Sequence, residues 1–278
     1  YNTQFWLKKT LTTLKEFYLD KTKYQVEVIV VDNGSTDGSV EMLKEEYPFV
    51  KVIETGENVG FAGGNNVALK NIEARYAMLL NSDLEFKENS NLDILIEYMD
   101  QHDEVGVITP RTHFVNGDLD PACHRGEPTI WASLTYFLKL EKLFPHSKIF
   151  AQYHQSYKDY DSIHTIDACS GATMMVRTSA MKKVGYLDER FFMYAEDLDW
   201  SRRFREAGYQ VVYHPEVEII HHKYKSGLKS SSKKIAKTTN RYFYNTMLQY
   251  YDKHYADQYP AFLRTWLKYY LAAKKEGI

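Results

Sequence analysis

The chain has 278 residues, 44% hydrophobic and 15% aromatic, enough for one large α/β domain or for such a domain with an appendage. Its two cysteines, Cys123 and Cys169, exclude a disulfide framework and a cysteine-rich metal cluster and point to a reducing, cytoplasmic setting, and no apolar run reaches the roughly twenty residues that a bilayer span needs. Net charge is −2 but uneven: from His221 onward twelve Lys and Arg face three acids, a net +9 that leaves −11 for the rest, so the tail is expected either to meet an anionic surface or diphosphate or to be a solvated basic helix pair, with no nucleic acid as partner.

In chain order, Leu7, Leu11, Leu14 and Tyr18 mark one face of a helix over Phe5 to Leu19. Val26 to Asp32 is a β-branched run of the kind found in a strand covered on both faces. It ends in DNGSTDG, a cluster of turn formers, after which Val40, Leu43 and Tyr47 resume helical spacing. Lys51 to Glu54 reads as a strand, Gly60 to Ile72 as a helix, and Tyr76 to Leu80 as a strand running into NSDLE. Leu92, Leu95, Ile96 and Met99 predict the next helix, and VGVITP the next strand. Such alternation predicts a doubly wound, Rossmann-like, mostly parallel sheet over the first 110 residues, with helices on both faces. Ligands of such sheets sit at the carboxyl ends of the strands, where Asp32 and Asp83 fall.

DNGSTDG either turns at Asn33-Gly34 and caps the next helix with Ser35, Thr36 or Asp37, or also offers Asp32 as acceptor for the imide N–H of a uracil or thymine base. The run NVGFAGGNN, with Asn58, Gly60 and Asn65, either aims a helix start at a phosphate or packs a helix closely on a strand. It is neither GxxxxGK[ST] nor GxGxxG. Asp83 and Glu85 are one residue apart; on extended backbone both carboxylates point the same way and could share one hard divalent cation, Mg²⁺ or Mn²⁺.

Asn116-Gly117 predicts a hairpin, and Trp131, Tyr136, Phe137, Phe144, Tyr153, Tyr157 and Tyr160 form an aromatic insertion suited to stacking on a sugar or to filling a core. Next comes FFMYAEDLDWSRR, which sets Glu196, Asp197 and Asp199 behind an aromatic cluster. At a helix start these acids face unpaired N–H groups; Asp199 is placed to pair with Arg202 or Arg203, and a carboxylate in an aromatic pocket suits a general base. The run KSGLKSSSKKIAK after Tyr224 reads as a mobile basic loop, followed by two amphipathic helices whose Lys and aromatic residues could rest on an anionic membrane or dock on the catalytic part.

VVDNGSTDGS, NVGFAGGNN, LLNSD, the long SGATMMVRTSAMKKVGYLDERFFMYAEDLDWSRRFREAGYQVVYHP and HHKYKSG together resemble the family 2 inverting glycosyltransferases of GT-A fold, above all the bacterial rhamnosyltransferase branch. The resemblance spans residues 1 to 227. It implies a GT-A domain over 1–225, with a nucleotide-binding half over 1–110 and an acceptor and catalytic half over 111–225, followed by a helical extension over 226–278. It also implies a dTDP- or UDP-sugar donor, a divalent metal, a saccharide or lipid-linked acceptor of polysaccharide synthesis, and a place in the cytoplasm or on the inner face of the plasma membrane. By the same resemblance Asp32 matches the base-recognition aspartate, Asp83 the metal aspartate, Asp197 the catalytic base with Glu196 as the other choice, and Gly171 the acceptor-side wall. Trp200 is placed with Gly171 on that side. His221, in a His-x4-Ser pattern with Ser226, matches a histidine that reaches the metal or diphosphate, with His222 as the alternative register. Two features depart from the pattern. Asn65 stands where many relatives have Arg, and the hydrophobic strand that the resemblance places before the YN pair Tyr1-Asn2 is either truncated from this sequence or its numbering, or truly lost together with part of the base pocket. Alternatives of other classes are a silent nucleotide- or glycan-binding module, which predicts decay of the acids, and a phosphoryl-transfer enzyme, which needs a cation between Asn58 and Asn66 that is not there.

Overall fold

The computed structural model describes residues 1–223 and 233–276. Residues 224–232, with Ser226, Gly227 and most of the basic run, lie outside the described residues. The first helix is α1 (Gln4–Leu14), prolonged by a π turn over Lys15–Leu19, and it buries Leu7, Leu11, Leu14 and Tyr18. The predicted alternation follows as β1 (Val28–Asp32), α2 (Ser39–Glu46), β2 (Val50–Glu54), α3 (Gly60–Leu69), β3 (Tyr76–Leu80), a two-residue β4 (Leu84–Glu85), α4 (Asp93–Gln101) and β5 (Val105–His113). The insertion carries α5 (Ile130–Phe137) and α6 (Leu140–Leu143), and its Asn116-Gly117 turn is closed by a single bridge between His113 and Leu119. Then come β6 (His164–Ile166), β7 (Thr173–Arg177), α7 (Thr178–Val184), α8 (Glu196–Glu206), β8 (Gln210–His221), α9 (Lys233–His254) and α10 (Ala261–Glu276).

β1 and β2 pair in parallel, and the larger sheet runs β3-β7-β5-β8-β4 with β6 also on β8. The α/β class holds, and the strand directions are corrected. Only β5–β8 is parallel in the larger sheet, whereas β3–β7, β5–β7, β4–β8 and β6–β8 are antiparallel. The cause is β7. A parallel neighbour needs a crossover returning the chain to the starting end, and β7 is reached through the insertion instead, so it enters between β3 and β5 against both.

Both faces of the larger sheet are buried, which is why its strands read as continuous apolar runs. On one face Val107, Met174, Val176, Val211 and Tyr213 join Leu69 of α3 with Trp200 and Phe204 of α8. On the other, their alternates Ile108, Met175 and Val212 pack on Leu95 and Met99 of α4 and on Leu14 and Tyr18. Between the sheets the second edges of β1 and β3 are unpaired among the described residues, and both line one cleft of about 1880 Å³.

The basic tail folds back on the acids of α8. Asp199 is fully buried and pairs with Arg203 (2.8 Å), Lys253 (2.5 Å) and His254 (2.7 Å). Glu127, from the insertion, meets Arg202 (2.9 Å), Arg205 and the hydroxyls of Tyr250 (2.8 Å) and Tyr255 (2.5 Å). Removing one partner from such a cluster leaves desolvated charge behind, so Asp199→Ala is expected to cost about 3–5 kcal/mol in chemical denaturation and to expose α9 to limited proteolysis.

Candidate active site

The cleft is closed on one side by the turn before β4. Thr10 of α1 holds that turn, its hydroxyl lying 2.9 Å from the Ser82 carbonyl and 3.0 Å from the Leu84 N–H. Between them Asp83 is buried with Oδ1 3.2 Å from His221 Nε2. The other ring nitrogen, Nδ1, lies 2.8 Å from Asp120 Oδ2, and Lys223 reaches Asp120 Oδ1 at 3.0 Å. Burial opposes charge on His221, but the hydrogen bonds to Asp120 and Asp83 outweigh it and hold the imidazole above its ordinary value. Burial likewise opposes charge on Asp120, and His221 and Lys223 keep its carboxyl well below the usual range. A histidine oriented by a carboxylate on its far nitrogen is the usual support for a metal-facing imidazole. Asp83 and His221 thus offer one oxygen and one nitrogen to a cation. Among the described residues no group of three or more His, Cys, Asp or Glu could hold one, so ligand oxygens would have to complete the shell.

Glu85 is corrected as a metal ligand. Asp83 sits in a turn rather than in extended backbone, so the two carboxylates do not point the same way. Burial works against the charge on Glu85, yet Lys9 (2.6 Å), His222 (2.7 Å) and Lys87 (3.0 Å) engage it and bring its carboxyl down to about 2. His221 faces the cleft, and His222 stacks on Trp6 and pairs with Glu85.

Asn33, Asn58, Gly60 and Asn65 line the cleft at the start of α3. Asp32 is buried at the end of β1 with its carboxylate accepting the Ser35 N–H at 2.8 Å, the turn-capping geometry. Gly60 has φ +81°, and a Cβ there would fall 2.5 Å from the Phe192 carbonyl oxygen, which accepts the Phe61 N–H at 2.9 Å. Glycine is therefore required for α3 to be stitched to the FFMYA segment.

That segment enters α8 through Tyr194 and Ala195, two non-glycine residues at φ +71° and +68°. Backbone of this kind persists only where packing over-determines it. Here Phe192 stacks on Tyr242 and Tyr194 meets Phe243 edge-on, both from α9. Asp197 Oδ2 accepts from Arg125 Nη2 (2.7 Å) and the Gly171 N–H (3.2 Å), and Oδ1 from the Leu198 N–H (2.7 Å). Gly171 lies in the wall, where a Cβ would press on the Phe61 ring at 2.9 Å. Glu196 lines the same cleft, with Oε2 buried and without a hydrogen-bond partner among the described residues. Burial first, and then the neighbouring Asp197 charge, push its carboxyl well above the ordinary range. The folded value exceeds the unfolded one, so this group favours the fold below the ordinary carboxylate range and withdraws that stability as pH rises through the folded value. Glu196→Gln is expected to flatten that slope and to raise Tm by a few degrees at neutral pH in calorimetric scans.

Trp200 is corrected as an acceptor residue. It is fully buried, its indole N–H donates to the Gly185 carbonyl (2.8 Å) and its ring meets Phe204 edge-on. The insertion aromatics divide: Tyr136, Phe137 and Tyr153 line the cleft, whereas Tyr160 packs on the buried His124. Sequence reasoning missed Asp120 and Arg125. Both lie in GDLDPACHRGEP, which has no periodicity, and Arg125 is placed by an isolated bridge to Ala168.

The model of glycosyl transferase family 2 matches residues 1–184, and that of glycosyl transferase family group 2 matches residues 126–274. An N-acetylglucosaminyl-diphospho-decaprenol L-rhamnosyltransferase of Mycobacterium tuberculosis is 28% identical over 213 residues, covering 73% of this chain and 68% of that protein. A low-salt glycan biosynthesis hexosyltransferase of Haloferax volcanii is 25% identical, covering 70% of this chain and 58% of its own length. Among solved structures, the mannosyltransferase PcManGT from Pyrobaculum calidifontis in complex with GDP-Man and Mn²⁺ aligns with a TM-score of 0.60 at 16% identity over 98% of this chain and 67% of that one. Residues 1–349 of S. aureus TarS align with a TM-score of 0.58 at 17% identity over 96% of this chain and 66% of that one.

Proposed function

The chain belongs to glycosyl transferase family 2, and from that premise we propose that it is an inverting transferase moving a sugar, rhamnose first among the candidates, from a dTDP- or UDP-linked donor to a saccharide or lipid-linked acceptor. The observation that carries the reading is the lining of one cleft by two separate sets of groups: Asp83 with His221 on one wall, Glu196 with Asp197 on another.

In this reading the donor diphosphate lies toward Asp83 and the start of α3, and its base toward Asn33 and Asp32. Asp32 accepts the Ser35 N–H on Oδ2, and its other carboxylate oxygen would accept the base imide N–H. The acceptor hydroxyl approaches past Gly171 and gives its proton to Asp197 as it attacks the anomeric carbon from the face opposite the diphosphate, through a transition state of oxocarbenium character. Arg125 and the Gly171 N–H hold one oxygen of that carboxylate and so fix its orientation. Burial and the Asp197 charge push the Glu196 carboxyl upward, which favours its neutral form beside that carboxylate. Asp83 and His221 would hold a divalent cation, Mg²⁺ or Mn²⁺, whose chemistry there is to offset charge on the departing diphosphate.

Calorimetric titration of the full chain with dTDP and with UDP, each with and without Mn²⁺, tests the reading. Metal-dependent binding of one nucleotide is expected. Indifference of a folded sample to both would overturn it in favour of a silent module.

A further inference from the structure

We propose that the face built from the α5–α6 insertion and α10 seats the protein on an anionic lipid bilayer and so brings a membrane-borne acceptor to the mouth of the cleft, the last step resting on the transferase reading above. The insertion run over 138–149, LKLEKLFPHSKI, carries the observation. Leu138, Leu143, Phe144 and Ile149 are 60%, 68%, 46% and 60% exposed. Between them Lys139, Lys142 and Lys148 are exposed and form no ion pair among the described residues, while Glu141, the one acid of the run, is buried against His154 at 2.8 Å. The surface therefore shows apolar side chains and positive charge together. A solvated loop has no use for the first, and a packed core excludes the second.

The run is held in place rather than loose. Trp131 of α5 donates to the Ile149 carbonyl at 2.9 Å, and Phe144 lies against Phe150 with ring centres 5.2 Å apart. α10 joins the same face through Phe137 and Tyr270, whose rings meet edge-on at 6.1 Å, and presents Phe262 and Trp266 at 73% and 52% exposure, one turn apart. Leu134, Leu138, Phe262 and Trp266 line the cleft whose other end holds Asp197. The apolar mouth is thus continuous with the catalytic acids.

Charge complementarity names the occupant. Lysines whose stems lie among exposed Leu and Phe suit the headgroup level of an anionic leaflet, with aromatic and aliphatic groups reaching the acyl boundary. The sequence pattern placed membrane contact on the C-terminal basic helices, but Lys253 and His254 are committed to Asp188 and Asp199, and Arg264 to Asp252. The insertion lysines carry no such commitment among the described residues. No helix among the described residues is long and apolar enough to cross a membrane, so attachment here is to one leaflet.

Co-sedimentation of the full chain with vesicles of phosphatidylglycerol and phosphatidylcholine, against phosphatidylcholine alone, at low and high salt, tests this. The native protein is expected to partition onto the anionic vesicles at low salt. Leu143→Ser with Phe144→Ser, and separately Lys139→Glu with Lys142→Glu, are each expected to lower that partition about tenfold or more. Circular dichroism and nucleotide titration are expected to stay native in both variants, because all four side chains are exposed and none belongs to the catalytic cleft. Absence of vesicle binding, equal partition of native and variant proteins, or a dimer that the Leu143 and Phe144 changes dissociate in ultracentrifugation would each overturn the proposal, the last by naming a second copy as occupant. Loss of nucleotide binding in the native protein would instead strike the transferase reading and leave the vesicle result readable.

Discussion

Asp197→Asn is expected to lower kcat by about 10²–10⁴-fold and to leave nucleotide binding within about twofold of native. Asn keeps the shape and an oxygen for Arg125 and the Gly171 N–H, which lie 2.7 and 3.2 Å from Oδ2, and gives up only the acceptor for the Leu198 N–H at Oδ1. What is lost is a site that takes a proton. The acceptor hydroxyl must then reach its transition state without a base, and none of the surrounding N–H donors can substitute. Glu196 is the control. Its Oε2 lacks a partner among the described residues, and burial and then the Asp197 charge push its carboxyl well above the ordinary range, which disfavours the ionised form that a base needs. If Glu196→Gln abolished turnover while Asp197→Asn left most of it, the roles would have to be exchanged, with Asp197 a positioning residue locked to Arg125. A rate measurement at saturating acceptor with both variants separates the two, because nucleotide affinity reports independently on the fold.

The sequence shows unequal amounts of this arrangement, and the inequality has physical causes. Elements that bury a face by local periodicity were legible: Leu7, Leu11, Leu14 and Tyr18 fix α1, and the β-branched run ending at Asp32 fixes β1. Contacts between distant segments were not. Asp120 and Arg125 acquire their roles only when the insertion folds over β8 and α8, 101 and 72 residues away from His221 and Asp197. Strand direction escaped for the same reason, since alternation of strand and helix says nothing of a chain that leaves the sheet at β5, returns as β6 on β8 and then runs as β7 between β3 and β5. Glu85 misled because the i and i+2 rule holds for extended backbone, and the chain turns at Asp83. Trp200 misled by adjacency. Three residues past Asp197 it lies under the sheet, where Gly185 satisfies its indole. The acids at the start of α8 were visible as a cluster, but only the fold divides their labour: Asp197 in the cleft beside Gly171, Asp199 turned back to hold Lys253 and His254 of α9.

Asp83→Ala is expected to abolish the metal-dependent part of nucleotide binding, a loss of about a hundredfold or more in affinity with Mn²⁺ present and none in its absence. The protein supplies few groups to a cation here, one carboxylate oxygen and the His221 Nε2 that lies 3.2 Å from it, so removing either leaves too little to hold an ion against water. Asp120→Asn tests the support beneath. It keeps an oxygen for His221 Nδ1 but loses the charge that, with Asp83, holds the imidazole above its ordinary value, and an intermediate loss of about tenfold is expected. The order Asp83→Ala worse than Asp120→Asn, with Glu85→Gln near native, follows from geometry, because Glu85 is already spent on Lys9, Lys87 and His222. Asp83→Asn guards against a trivial outcome: it preserves the turn that Thr10 pins at Ser82 and Leu84, so a loss of metal dependence in a variant with native circular dichroism belongs to the carboxylate and not to the fold. Equal Mn²⁺ dependence in native and Asp83→Ala proteins would place the cation elsewhere, and with it the diphosphate.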